Sequence, residues 1–221
     1  MAVDLNKVKN DSEVKAYLEI GDEHLQAQGY TEHGLRHADL VARISLNIMR
    51  QLGKPSRDAE LASIAGYLHD IGNVASRCLH GQTGAVIARD ILSRLGMPPR
   101  EVAAVVGAVG NHDPEDTSRA VSEISAAVIL ADKTDVHRTR VRNEDLATFD
   151  LHDRVNYAVR RSFLRVDDQE KLIILELEID PSISSLVEYF ELFLNRMLMC
   201  RHAARFLGCS FDIKINGNRL L

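Results

Sequence analysis

The chain has little of what several protein classes require. It contains three cysteines and no tryptophan among its 221 residues. Cys78, Cys200 and Cys209 form no CxxC pair, so the sequence predicts neither a disulfide scaffold nor a zinc ribbon, and an odd number of thiols is typical of a reducing compartment. The longest apolar runs, at 102–109 and 124–131, are far shorter than the roughly 20 residues of a membrane span.

An excess of positive charge and a secretion signal are lacking as well. There are 27 Lys and Arg against 32 Asp and Glu, a net charge of −5. This balance argues against a surface that coats nucleic acid, although a local basic cluster could still hold one small anion. Residues 1–15 lack the apolar block of a signal peptide. We therefore expect a cytoplasmic protein that is not bound to a membrane.

Apolar residues at helical spacing dominate the first 135 positions. In the second predicted helix, for example, Val41, Ile44 and Ile48 form one apolar stripe. Gly72 is predicted to end the third helix as a left-handed residue. The predicted helices cover about 12–29, 31–53, 56–72, 82–95, 98–110 and 122–135.

The pattern changes in the last third of the chain. Residues 136–154 are crowded with charge and are predicted to form a linker or a surface segment. Alternating apolar residues then predict strands, and Ser185 with Glu188 has the spacing of a capping box at the start of a helix. The expected elements are strands at 155–165, 172–177 and 209–215, with a helix from 186 to 207 between the last two.

From these elements we predict a β-β-α-β tail in which one helix packs against an antiparallel sheet. We accordingly divide the chain into a helical domain at 1–145 and a small C-terminal domain at 146–221. The exposed strand faces and the helix of the tail could pack on the bundle or on another subunit, and a homodimer is the outcome of the second alternative.

Four polar side chains interrupt the apolar stripes of the predicted helices. His37, His69, His112 and Asp132 each stand where a core helix should carry an apolar residue. Any one of them could be a hydrogen-bonded core residue, but four helices of a bundle can also aim such groups at one point, as in carboxylate-bridged dimetal bundles. Imidazole and carboxylate ligands together suit Mn, Fe, Co, Ni or Zn better than Mg.

These residues resemble the HD-domain metal-dependent phosphohydrolase superfamily over about residues 30–140. The most specific element is the pair His69-Asp70 in GYLHDIGN, with His37 before it and Asp132 in ADKTD after it. Dimetal members add two histidines between the HD pair and the last Asp, and His80 and His112 stand there. The resemblance implies the metal ligands His37, His69, Asp70, His80, His112 and Asp132.

The resemblance also implies a fold and a cofactor. It implies a mostly α protein, with an HD-type helical bundle at about 12–135 followed by the small α+β element. One or two divalent transition metals are expected, Fe or Mn first, with Ni, Co, Zn or Mg as alternatives. Asp70 would bridge two ions.

Three departures separate the chain from the cyclic-dinucleotide phosphodiesterase branch of the superfamily. Asn73 stands where that branch usually has Lys, and Asn111 replaces the first residue of its doubled His. Its glycine-tyrosine-proline loop is missing, because the sequence after His112 reads DPEDTSRAV. Within that stretch, Glu115 and Asp116 are predicted to lie on a solvent loop.

Cations that follow the last predicted ligand are candidates for binding phosphate. Lys133 is adjacent to Asp132, and Arg138, Arg140 and Arg142 alternate downstream. Guanidinium groups match phosphate oxygens in bidentate geometry, while a solvated charge run is the alternative for the three arginines. Asp135 and His137 could orient ligand imidazoles or be ordinary residues at a helix end.

We therefore predict a metal-dependent phosphohydrolase, a phosphomonoesterase or phosphodiesterase, that acts on a nucleotide or another small phosphorylated compound. A metal-activated water would attack phosphorus, with Asp70 and Lys133 as the catalytic residues. Two alternatives stay open. Oxygenase members such as myo-inositol oxygenase use the same six-ligand arrangement with a mixed-valent iron pair, so an HD-type di-iron oxygenase is one. A non-catalytic metal- or nucleotide-binding regulatory module is the other.

Overall fold

The computed structural model of the protein describes residues 2–113 and 119–220. Glu115 and Asp116 lie outside the described residues. The first part of the chain is helical, and the predicted helices are found within a few residues of their expected limits. The helices are α1 (Leu5–Lys9), α2 (Ser12–Ala27), α3 (Leu35–Gln51), α4 (Ser56–Leu68), α5 (His80–Arg94), α6 (Pro99–Gly110) and α7 (Glu123–Lys133).

Two of these helices, α4 and α7, lie at the centre of the bundle. Both are buried on every side over their second halves, which is the pattern of a core helix rather than of a surface helix. Helix α3 packs against both of them, and α5 pairs with α6. The close packing of α3 on α4 depends on Gly66, because a Cβ atom at this position would lie 3.0 Å from the Val41 carbonyl oxygen.

The prediction that Gly72 ends the third helix as a left-handed residue was wrong. Helix α4 ends at Leu68, and a short 3-10 turn covers Ile71–Val74. Gly72 does not have the positive φ of a left-handed residue. Its backbone instead lies against the start of α5, where a Cβ atom would be 2.5 Å from the Gly84 nitrogen. The glycine is therefore required by the approach of two backbones, not by a helix end.

The tail keeps the predicted β-β-α-β order but differs from the prediction at its start. Residues 155–158 are helical, because Leu151, Val155 and Ala158 also have helical spacing and Asp150 caps the helix by accepting from the Asp153 N–H. The elements are α8 (Leu151–Ala158), β1 (Val159–Asp167), β2 (Leu172–Ile179), α9 (Leu186–Phe206), β3 (Ser210–Ile215) and β4 (Asn218–Arg219).

The sheet has the strand order β1-β2-β3-β4 and is mixed, so the prediction of an antiparallel sheet was wrong. β1 pairs with β2 and β3 pairs with β4 in antiparallel fashion, but β2 and β3 are parallel. The reason is α9, which carries the chain back across the sheet between β2 and β3, as parallel neighbours require. The predicted capping box of α9 is confirmed in both directions between Ser185 and Glu188.

Helix α9 packs on α7 and so joins the tail to the helical bundle. Its buried side chains include Tyr189, Phe193, Met197 and Cys200, which belong to the same continuous apolar core as the bundle. The division into domains at residue 145 stays a prediction. Among the described residues, every helix is too short or too polar to cross a bilayer.

Candidate metal centre

The structure brings together all six residues that the resemblance implied as ligands. Each is buried, and each lies in the first or last turn of a helix or within two residues of its end. Three overlapping groups of three have ligand atoms within 4.8 Å of one another. His37 lies in the first turn of α3, His69 and Asp70 follow α4, His80 opens α5, His112 follows α6, and Asp132 lies in the last turn of α7.

One half of the cluster is built around His37 and His69. Their Nε2 atoms are 3.1 Å apart. Oδ1 of Asp132 lies 3.4 Å from Nε2 of His37 and 3.7 Å from that of His69. Oδ2 of Asp70 lies 3.7 Å and 3.3 Å from the same two nitrogens. This half therefore presents two imidazole nitrogens and two carboxylate oxygens to one point.

The other half is built around His80 and His112. Their Nε2 atoms are also 3.1 Å apart. The second oxygen of Asp70, Oδ1, lies 3.2 Å from Nε2 of His80 and 3.7 Å from Nε2 of His112. The two oxygens of Asp70 thus face different pairs of histidines, which is the geometry of a bridging carboxylate.

The four imidazoles are held so that Nε2 can act as a ligand. Nδ1 of His69, His80 and His112 lies 2.6–2.9 Å from the carbonyl oxygens of Gly66, Arg77 and Val109, respectively. Since a carbonyl oxygen only accepts, Nδ1 must carry the proton and Nε2 of the neutral ring has a free lone pair. This fixed tautomer is usual for metal-ligating histidines.

The donor atoms fit a divalent metal. In each half, two Nε2 lone pairs face one another at 3.1 Å, where neither can donate to the other, so an electron-pair acceptor is needed between them. Ligands about 2.1 Å from one ion lie about 3.0 Å apart at right angles and about 3.4 Å apart in a tetrahedron. Five of the eight separations within the two halves, 3.1 to 3.4 Å, lie in this range, and the other three are 3.7 Å.

Both cluster carboxylates are ionised. Burial opposes this in Asp70, but the neighbouring imidazoles hold the pKa of its carboxyl well below the usual value. Burial likewise opposes ionisation of Asp132, and the Lys133 ammonium together with His37 holds its pKa well below the usual value. The cluster therefore offers two negative charges to a bound cation.

Asp135 orients His37 through the ring nitrogen that faces away from the cluster. Its Oδ2 accepts from Nδ1 of His37 at 2.7 Å, as the sequence suggested for this position. Burial raises the pKa of Asp135, but the Arg140 cation, the hydrogen bond with His37 and the Arg36 cation together hold that pKa far below the usual value. Arg36 lies 3.0 Å from the same oxygen, and Arg140 donates to the Asp135 carbonyl. His37 is thus held by a carboxylate that two arginines fix in place.

Among the predicted phosphate-binding cations, Lys133 alone contacts one of the six residues. Its buried Nζ lies 2.7 Å from Oδ2 of Asp132. Arg138 stacks on Tyr157, Arg142 pairs with Asp22, and the buried Arg140 donates to the Glu32 carbonyl as well as to Asp135. His137, proposed to orient a ligand, instead contacts Thr139 and the Arg160 carbonyl.

Two residues of the site were missed by the sequence reasoning. Oδ2 of Asp113 lies 3.2 Å from Nε2 of His80. Nη1 of Arg77 lies 3.4 Å from the same nitrogen and 3.8 Å from Oδ1 of Asp70, and Nη2 lies 3.4 Å from Asp113. The available signals were weak, namely the adjacency of Asp113 to His112 and the spacing of three between Arg77 and His80.

Comparison with known families agrees with this arrangement. Residues 34–138, which carry all six clustered side chains, match the family described as HD domain. This match spans slightly less than half of the chain. The solved structures include a similar chain, a predicted HD superfamily hydrolase from an uncultured Thermotogales bacterium. It has a TM-score of 0.44 and 22% identity, over 61% of this chain and 75% of the other.

The curated relatives include several proteins named ribonuclease Y. That of Streptococcus sanguinis is 27% identical over 83% of this chain and 38% of its own length. Those of Deinococcus radiodurans and Thermus thermophilus are each 32% identical over 54% of this chain and 19% of theirs. The chain thus spans from about a fifth to two fifths of these relatives. The residues of this chain that match the HD domain also carry its metal-competent clusters.

Proposed function

We propose that the protein is a metal-dependent phosphohydrolase that acts on a nucleotide or another small phosphorylated compound. One observation carries the proposal. The two oxygens of Asp70 face two separate pairs of Nε2 atoms, at 3.2–3.7 Å. In this proposal His37, His69 and Asp132 would hold one divalent transition metal, Fe or Mn first, and His80 and His112 would hold a second. Asp70 would bridge the two.

Bound divalent metals would supply a Lewis acid and an activated water for attack on phosphorus. The protein's own groups would do the rest. The carbonyl oxygens behind His69, His80 and His112 and the carboxylate behind His37 keep each Nε2 free of a proton. The Lys133 ammonium, 2.7 Å from Asp132, would stabilise negative charge that develops on the phosphoryl oxygens.

The similarity to ribonuclease Y supports the class of bond. The name ribonuclease denotes an enzyme that cleaves RNA, whose backbone is a phosphodiester, and the part of this chain that matches the HD domain carries a metal-competent cluster. A phosphodiester or phosphomonoester is therefore proposed as the bond that is broken. The substrate panel should contain nucleotides, sugar phosphates and a short RNA.

The experiment is metal analysis of protein purified without chelator, followed by this panel with and without oxygen. The parent should contain up to two divalent metals and hydrolyse a phosphoester independently of oxygen. Asp70→Asn should lose metal and activity because it weakens the bridge between the two halves. Asp90→Asn is the matched control, since Asp90 is exposed on α5. An Asp70→Asn protein as active as the parent would refute the proposal, and oxygen consumption without hydrolysis would favour the di-iron oxygenase.

A further inference from the structure

A cavity of about 220 Å³ adjoins the metal-competent cluster, and residues from both the helical bundle and the C-terminal segment line it. Its residues come from the connection between α2 and α3, from the connection before α5, and from the C-terminal segment. Those that matter here are Tyr30, Thr31, His33, Arg77, His152 and Arg196.

Arg77 joins this cavity to the cluster. Its two Nη atoms lie 3.4–3.8 Å from side-chain atoms of His80, Asp70 and Asp113, and the residue also lines the cavity. Tyr30 lies over the guanidinium, with 5.8 Å between the Arg77 Cζ atom and the ring centroid. A group bound in the cavity would therefore lie beside the histidines and carboxylates of the cluster.

Arg196 brings a second guanidinium to the same cavity, from helix α9 of the tail. Its Cζ lies 4.7 Å from the centroid of the Phe193 ring, and it forms no ion pair with a carboxylate that the structure describes. Burial lowers its pKa, and the neighbouring cations Arg140 and Arg77 lower it further, although Asp132 and Asp113 act in the opposite direction. A guanidinium has too high a pKa to lose its proton here, so Arg196 brings to the cavity wall a positive charge that is not paired directly with any described carboxylate.

Asp150 also lines the cavity, but its carboxylate is engaged elsewhere. It accepts from the Asp153 N–H at 2.8 Å as the N-cap of α8. The lining residues also include two guanidinium groups, Arg77 and Arg196, against this one carboxylate, so the formal charge of the wall is positive and suits an anion. The planar guanidinium group matches phosphate oxygens in bidentate geometry, which fixes their orientation.

We propose that Arg77 and Arg196 together bind the phosphate group of the substrate in this cavity, so that helix α9 completes the active site of the HD domain. The inference rests on the proposed function and extends it by naming the groups that bind the substrate. A cavity of 220 Å³ is below the roughly 300–1,000 Å³ of sites for drug-sized ligands. It therefore suits a phosphate with a small organic part.

The test measures binding of inorganic phosphate to the metal-loaded full chain by isothermal titration calorimetry. Arg196→Met keeps the aliphatic stem that packs on Phe193 but removes the charge. It should weaken phosphate binding about 10- to 100-fold, the usual range for one lost hydrogen bond to a charged group. Arg196→Lys should restore part of the affinity. Arg205→Met is the matched control, because Arg205 is an exposed residue on the same helix, and it should bind phosphate as the parent does.

The outcomes separate this inference from the proposed function. If the parent hydrolyses phosphoesters and Arg196→Met, with its full metal content, binds phosphate within twofold of the parent, the inference is overturned and the proposed function stands. If the parent hydrolyses nothing on the panel but binds phosphate in a way that depends on Arg196, the anion site stands and the proposed function fails. If Arg196→Met does not fold, the phosphate affinities of Arg196→Lys and Arg77→Lys are measured by the same titration. Affinities within twofold of the parent in both variants overturn the inference. A parent that does not bind millimolar phosphate overturns the inference.

Discussion

Replacement of Gly72 by alanine tests how the backbone positions the metal centre. The glycine lies in the 3-10 turn directly after the His69-Asp70 pair, and its α-carbon faces the first turn of α5. A Cβ atom there would overlap the His80 carbonyl oxygen and lie 2.5 Å from the Gly84 nitrogen. These obstacles are backbone atoms, so no change of rotamer can remove the clash.

The size of the displacement follows from these distances. Real Cβ atoms do not approach other heavy atoms closer than 3.0 Å, so the gap to Gly84 must widen from 2.5 Å by at least 0.5 Å. The gap to the His80 carbonyl must widen by more. Because His80 opens α5, its Nε2 would move away from Oδ1 of Asp70, now 3.2 Å distant. A shift of about 0.5 Å already reaches the tolerance of a preorganised site.

We expect Gly72→Ala to bind fewer metal ions than the parent, with the loss confined to the half formed by His80 and His112. Activity should fall about 100-fold if the remaining groups are displaced by about 1 Å. Overpacking should lower the free energy of unfolding by about 1–3 kcal/mol, which thermal unfolding with circular dichroism can measure. Gly107→Ala is the control, since its nearest neighbour would be a Val121 methyl at 3.8 Å. A Gly72→Ala protein with full metal content and parental activity would refute the reasoning.

Two further substitutions test the groups around the ligands. Asp135→Ala removes the acceptor of the His37 Nδ1–H bond and should lower metal affinity about 10- to 100-fold, which competition with a chelator can measure. Asp135→Asn should recover part of that affinity. Unchanged metal affinity in both variants would contradict the role of Asp135. Lys133→Ala should retain its metal and lose about 10²–10³ in rate, as when one group that stabilises transition-state charge is removed. Lys54→Ala serves as the control, because it removes the ion pair with Glu123. A parental rate in Lys133→Ala would rule out a catalytic role for Lys133.

The helices could be predicted from the sequence because their signals are local. Apolar residues at helical spacing identified α2 to α7, and the capping box at Ser185 identified the start of α9. The prediction failed where one pattern fitted two structures. Over residues 155–158, the two alternating positions Val155 and Tyr157 are too few to outweigh the helical spacing of Leu151, Val155 and Ala158.

The residues of the candidate site also divide into those that the sequence indicated and those that it did not. Polar residues on otherwise apolar stripes were visible one by one, and the resemblance to HD domains added Asp70 and His80 to them. The sequence offered only faint signals for Asp113 and Arg77, and none for Arg196, which comes from a helix more than 50 residues beyond Asp132. Their contacts depend on how α9 and the connection before α5 pack on the bundle, and no local pattern encodes that packing.

The sequence by itself thus determined the order and kind of most elements, and the residue types that could bind a metal. Only the tertiary structure decided that Asp70 faces two pairs of histidines, that β2 and β3 run parallel, and that a guanidinium from the tail reaches a cavity beside the cluster. The physical reason is the range of the interactions. Periodicity and capping act within a few residues of the chain, whereas coordination geometry and charge balance depend on distances between segments that only close packing brings together.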